Sequence, residues 1–220
     1  MSASYLNIER NPWLNHNGTQ GAGGCPAKEA DCWQMGDGTV FSIKGCTQAM
    51  NANVLWYPAS KLAPTPNCTN FRLTYDLVVD TNGSSVWARE RDLRISDGEY
   101  DYNFSCQLLA RSDGNYELDI SNQSGGWVAT GFNVPPLAQG VVHHFVHEGV
   151  FNFVQKLYYY ELIEIDYVPY VIPGKLQGLE PTKLGWPAGF YLQFQQDVEY
   201  QAGVDLGFAE KVANMNLVVW

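Results

Sequence analysis

Alternation with a period of two runs through most of this chain, and apolar residues nowhere recur at helical spacing. Phe71, Leu73, Tyr75, Leu77 and Val79 alternate with Arg72, Thr74, Asp76, Val78 and Asp80. Tyr102, Phe104, Cys106 and Leu108 alternate with Asp101, Asn103, Ser105 and Gln107. The pattern returns at Tyr116, Leu118 and Ile120, at Phe190, Leu192 and Phe194, and at Ala213, Met215, Leu217 and Val219. Successive side chains of a strand point to opposite faces, so each run describes a ribbon buried on one side. Asp37-Gly38, Asn82-Gly83, Asp97-Gly98, Asp113-Gly114 and Gly125-Gly126 punctuate the runs with residues that tolerate positive φ. Many strands joined by tight turns predict an all-β antiparallel sandwich or barrel. Val212 to Trp220 reads as a closing strand paired beside an early one.

Of the 220 residues, 45% are hydrophobic and only 16% charged, enough to fill the core of one domain. The alternating body spans 39–220. Residues 1–38, rich in Gly, Asn and Cys, are expected as a loop-rich wrap pinned by disulfides. No apolar run reaches 18 residues, so no membrane span is expected. The 23 acidic residues outnumber the 13 basic ones, and no Lys/Arg cluster exists to track phosphates, so no nucleic-acid partner is expected. Met1-Ser-Ala-Ser lacks the basic and apolar regions of a signal peptide. Two other features belong to secreted chains. Five glycosylation sequons begin at Asn17, Asn67, Asn82, Asn103 and Asn122, and Cys25, Cys32, Cys46 and Cys68 crowd the first third. Secretion with disulfides is the expectation, although the chain as it stands also allows a cytoplasmic protein. Four cysteines allow three pairings, and the sequence does not choose among them. Cys106, inside a strand pattern, reads as a small buried hydrophobe.

Trp87 to Gln107 (WARERDLRISDGEYDYNFSCQ), Gly125 to Gly149 (GGWVATGFNVPPLAQGVVHHFVHEG), Glu161 to Ile172 (ELIEIDYVPYVI), Gly189 to Asp197 (GFYLQFQQD) and Val212 to Trp220 (VANMNLVVW) follow one another in order. Together they resemble the concanavalin A-like lectin and glucanase jelly roll, most of all its secreted bacterial and fungal members without an assigned activity. The resemblance covers about residues 39–220. It implies a two-sheet antiparallel jelly-roll sandwich with ligands crossing a concave sheet. It does not choose among lectin, hydrolase and lyase.

Glu90 and Asp92 share a strand face roughly 6.5 Å apart, a spacing suited to acid and base at a glycosidic bond. Laminarinase-like glucanases place a third carboxylate further along this strand. Here Arg94 and Ile95 stand in its place. Gly189-Phe190-Tyr191-Leu192-Gln193 matches the spacing of a Gly-x-Tyr-x-Gln strand of alginate lyases, which would make Tyr191 the proton donor. Arg89 and Arg91 could clamp the carboxylates of a uronate. The rows Asn103, Ser105, Gln107 and Tyr191, Gln193, Gln195 supply the mixed donors and acceptors that sugar hydroxyls need. Trp127 could stack on a sugar face.

Among His143, His144 and His147, the first and third share a face and the second opposes them, so no metal site is expected; His143 joins the ligand-binding candidates. No CxxC suggests zinc. No cofactor is expected, with calcium at Asp97-Gly98-Glu99-Tyr100-Asp101 as the exception worth testing. The functional expectation is a domain that binds or acts on an oligosaccharide across the concave sheet. The alternative is a biosynthetic or lyase-type enzyme using the same cleft for a small-molecule or uronate substrate.

Overall fold

The computed structural model describes residues 2–17, 25–45, 52–58, 62, 68–80, 86–122, 126–174, 181–183 and 186–220. Fifteen strands carry them. The first eight are β1 (Ala3–Tyr5), β2 (Trp13–Asn17), β3 (Glu29–Met35), β4 (Gly38–Lys44), β5 (Ala52–Pro58), β6 (Asn70–Val79), β7 (Val86–Ser96) and β8 (Asp101–Ala110). The others are β9 (Tyr116–Ser121), β10 (Trp127–Val134), β11 (Val142–Asn152), β12 (Leu157–Ile165), β13 (Val168–Val171), β14 (Gly189–Val198) and β15 (Gly207–Val219). One 3-10 turn, Ile8–Arg10, interrupts them.

Two antiparallel sheets result. The eight-stranded sheet runs β13-β12-β11-β6-β15-β4-β3, with β1 also on β15. The seven-stranded sheet runs β10-β9-β8-β7-β14-β5-β2. The final strand does pair beside early ones, lying between β6 and β4. Residues 1–38, read as a wrap, supply β1, β2 and β3, and β2 and β3 form the last strand of each sheet. Cys25 is disulfide-bonded, but Cys32 and Cys68 are not, so the expected set of staples among the four cysteines does not form. Cys46 lies outside the described residues.

The inward residues of the alternating runs meet between the sheets as an aromatic core. Phe41, Trp56 and Phe194 pack with Trp13 at one end, and Phe71, Phe104, Tyr158 and Tyr160 at another. Gly149 allows the second group to close, because a Cβ there would sit 2.6 Å from Phe71 Cε1 and 2.8 Å from Phe104 Cε1. β15 changes its buried face midway. Phe208, Glu210 and Val212 point inward, then a register shift after Ala213, with Asn214 at φ 51°, turns Met215, Leu217 and Val219 inward instead.

Candidate functional site

The outer face of the seven-stranded sheet, the side turned away from the core, is built from the polar halves of the same runs. Register brings them into rows. Asp119 stands opposite Gln107, Gln107 opposite Glu90, and Glu90 opposite Gln195. One step along, Ser105 faces Asp92, and Asp92 faces Gln193. A further step pairs Asn103 with Arg94 and Arg94 with Tyr191. Trp127 opposes Ser121 at the β10 margin. Glu90, Asp92, Tyr191, Asn103, Ser105, Gln107, Trp127, Gln193 and Gln195 therefore share one face. Directly opposed antiparallel residues lie about 4.5–5.5 Å apart, so these side chains touch or nearly touch.

Local hydrogen bonds hold the rows. Gln195 Nε2 donates to Glu90 Oε1 at 2.6 Å and to Asp197 Oδ2 at 3.2 Å, so two carboxylates share one amide nitrogen. Gln107 Nε2 donates to Asp119 Oδ2 at 2.9 Å, and Ser105 Oγ to Asn103 Oδ1 at 2.8 Å. Arg94 is the cation in the middle, 3.8 Å from Asp92 and 3.5 Å from Asp101. Its guanidinium also lies 5.3 Å from the centre of the Trp186 ring, which packs edge-on against Tyr191. Tyr191 donates its hydroxyl to the Pro187 carbonyl at 2.6 Å.

Burial dominates the electrostatics. It pushes Glu90 well above the usual carboxylate range, and the charges of Asp197 and Asp92 push the same way. Burial also raises Asp92, against the pull of Arg94 and Arg91. It raises Asp101 to about 6 against the pull of Arg94, and it raises Asp119 against the Gln107 hydrogen bond. Five buried polar atoms on this face have no hydrogen-bond partner: Asp92 Oδ1, Asp101 Oδ1, Asp119 Oδ1, Gln193 Oε1 and Arg94 Nε. Four of the five are acceptors.

Three expectations need correction. His143 is not part of this face. It lies on β11 of the other sheet, where Nδ1 meets Asp166 Oδ2 at 2.6 Å and Nε2 meets the Ala138 carbonyl at 3.1 Å. Arg89 and Arg91 cannot clamp a ligand on the outer face, because both are buried between the sheets against Glu210. The Asp97–Asp101 loop spreads its carboxylates over different partners. Asp97 Oδ1 accepts the backbone N–H groups of Glu99 and Tyr100, Glu99 pairs with Lys183, and Asp101 turns to Arg94. Among the described residues, no group of three acidic, His or Cys side chains is arranged to hold a metal ion.

Asp197 and Asp119 belong to the face although the sequence reading did not make them candidates, and Asp101, which alternation already placed beside Asn103, joins it through Arg94. Asp197 was within reach, since it extends the alternation Tyr191, Gln193, Gln195 by one step. Asp119 needed the cross-strand register.

No protein-family model matches the chain, and no curated protein does. Solved structures match in shape. The winged bean acidic lectin complexed with methyl-α-D-galactose aligns over 100% of this chain and 98% of its own, at 9% identity and a TM-score of 0.52. Lectin UEA-II complexed with galactose aligns over 99% and 98%, at 10% identity and 0.51. A β-glucanase of Bacillus licheniformis aligns over 98% and 97%, at 9% identity and 0.50. Identities this low speak to fold, and the fold is the concanavalin A-like jelly roll.

Proposed function

We propose that the chain binds a neutral oligosaccharide across the outer face of its seven-stranded sheet. One observation carries this reading: the in-register polar rows hold five buried atoms without partners, four of them acceptors. A buried polar atom left unpaired costs about 1–3 kcal/mol, and a polyol supplies donors to acceptors. These atoms are screened by their neighbours, so a ligand reaches them only as the covering side chains turn aside. Trp127, 36% exposed beside Ser121, supplies a stacking surface at the margin.

Charge argues against a uronate. Asp92 and Asp101 flank Arg94, and Asp119 and Asp197 lie on the same face, so a polyanion would meet more repulsion than attraction. That weakens the lyase alternative more than a hydrolytic one. A hydrolytic reading has its own support in the Glu90 and Asp197 carboxylates on one Gln195 nitrogen, a close pair of the kind retaining glycosidases use. Secretion fits the sequons and the disulfide-bonded Cys25.

Calorimetric titration with neutral gluco-, galacto- and manno-oligosaccharides, and with alginate oligomers as the acidic set, tests the proposal. Binding to a neutral set that is lost in Gln193→Ala supports it. Binding confined to the alginate oligomers, or no binding across all sets, overturns it. Release of reducing ends that stops in both Glu90→Gln and Asp197→Asn would add the hydrolytic reading.

A further inference from the structure

The polar face is short of hydrogen-bond donors where it is richest in acceptors. Asp119, Gln107, Glu90 and Gln195 form one row, and Ser105, Asp92 and Gln193 form the next. Neither row contains a cation. Gln107 Nε2 is committed to Asp119, Gln195 Nε2 to Glu90 and Asp197, and Ser105 Oγ to Asn103. Asp92 Oδ1, Asp119 Oδ1 and Gln193 Oε1 receive no donor, and Asp92 and Asp119 are only 6% and 4% exposed. Glu90 and Gln193, diagonal neighbours on adjacent strands, are half-buried, so this part of the face opens to solvent.

The nearby guanidiniums do not fill the gap. Arg94 lies four residues along β7 from Glu90, roughly 13 Å in an extended strand, and its charge faces Asp92 and Asp101. Arg91 acts on Glu90 and Asp92 from the inner side of the strand, where its own bonds go to Glu210 and the Glu90 carbonyl. Both pulls are outweighed. Burial first, then the charges of Asp197 and Asp92, hold the Glu90 carboxyl well above its ordinary range. A hydroxyl brings one hydrogen and two lone pairs to such a place. An ammonium brings three hydrogens, no lone pair and a positive charge.

We propose that one unit of the bound oligosaccharide carries an unsubstituted amino group, its ammonium seated over Glu90, Asp92, Gln193 and Gln195. The proposal rests on the saccharide reading and deepens it: the other units are neutral and meet the remaining rows, and a fully neutral chain is the weaker ligand. Acetylating the nitrogen removes the charge and two of the three hydrogens.

Chito-oligosaccharides of matched length, one series N-acetylated and one with free amines, test it by calorimetry in mildly acidic solution, where the amine is charged. Both series should bind, the free-amine series about tenfold tighter or more. The ratio should shrink as salt is added and should shrink in Glu90→Gln. An ammonium favours the ionised form of Glu90, so the free-amine series should release protons on binding, read as a binding enthalpy that varies with the ionisation enthalpy of the buffer. The acetylated series should show no such variation. Equal affinities of the two series, or tighter binding of the acetylated one, would overturn the amino-sugar proposal and leave the saccharide reading standing. Silence from both series and from the neutral sets above would overturn both.

Discussion

Replacing Glu210 by glutamine removes a negative charge from the middle of the molecule while keeping its shape. Glu210 is 1% exposed, and both its oxygens serve arginines, Oε1 that of Arg89 and Oε2 that of Arg91. Gln196 Nε2 adds a longer contact to Oε2 at 3.4 Å. Removing one partner of a buried ion pair costs about 3–5 kcal/mol, and here one carboxylate serves two cations, which points to the upper end, about 5 kcal/mol. Domains have about 5–15 kcal/mol in total, so the variant should be close to its limit of folding. In urea, with tryptophan fluorescence as the signal, the midpoint should fall by about 2 M. Acid sharpens the test. Burial alone would push the Glu210 carboxyl up, but Arg91 and Arg89 outweigh it and hold the group below its ordinary value. Its contribution is then complete above the unfolded-state pKa and disappears as pH falls through the folded one. The gap between wild type and Glu210→Gln should be widest near neutrality and should close in acid. A control replaces the whole cluster (Arg89→Met, Arg91→Met, Glu210→Leu) and should unfold near or above the wild-type midpoint, because buried ion clusters seldom exceed a packed apolar equivalent. A gap under about 1 kcal/mol at pH 7, or one that persists unchanged below pH 3, would refute the reasoning.

Asp101, raised to about 6 by burial, binds a proton more tightly folded than unfolded. Its contribution is present below its unfolded pKa and lost as pH rises through about 6, a loss of about 3 kcal/mol. Urea midpoints measured from pH 4 to 7 should therefore decline less steeply in Asp101→Asn than in the wild type. Gly149→Ala forces a Cβ against Phe71 and Phe104 and should cost about 1–3 kcal/mol by thermal or urea unfolding. Tyr191→Phe removes the donor to the Pro187 carbonyl and should cost about 1 kcal/mol of stability, read by the same unfolding assay. Gln195→Ala takes the shared donor from Glu90 and Asp197, so the Glu90 carboxyl, followed by carbon NMR, should titrate at higher pH than in the wild type.

Alternation made most of this architecture readable in advance. The runs at 71–80, 101–110 and 190–195 specify which side chains go in and which go out, and period two leaves little freedom once one face is buried. For the same reason Glu90, Asp92, Gln107, Tyr191 and Gln193 could be assigned to one kind of face before any pairing was known. Pairing itself is nonlocal. Nothing near Asp119 in the chain announces that Gln107 will bind it, and nothing near Glu210 announces two arginines from a strand over a hundred residues earlier. His143 was misplaced because a histidine in an alternating strand looks alike in either sheet. Arg89 and Arg91 were hard to place because arginine on an apolar face goes against the usual rule, and only the far-off Glu210 accounts for it. The phase change at Asn214 was equally hidden, since both Phe208–Val212 and Ala213–Val219 alternate well on their own.

β7 is a partition one polypeptide thick. Carboxyls stand on its solvent side with Arg94, the guanidiniums of Arg89 and Arg91 on its inner side, and Arg91 draws down the proton affinity of both Glu90 and Asp92 through the backbone between them. Such a wall transmits charge without moving. A substitution among hidden residues could therefore retune the acidity that an arriving guest encounters, leaving every atom in contact with that guest where it was.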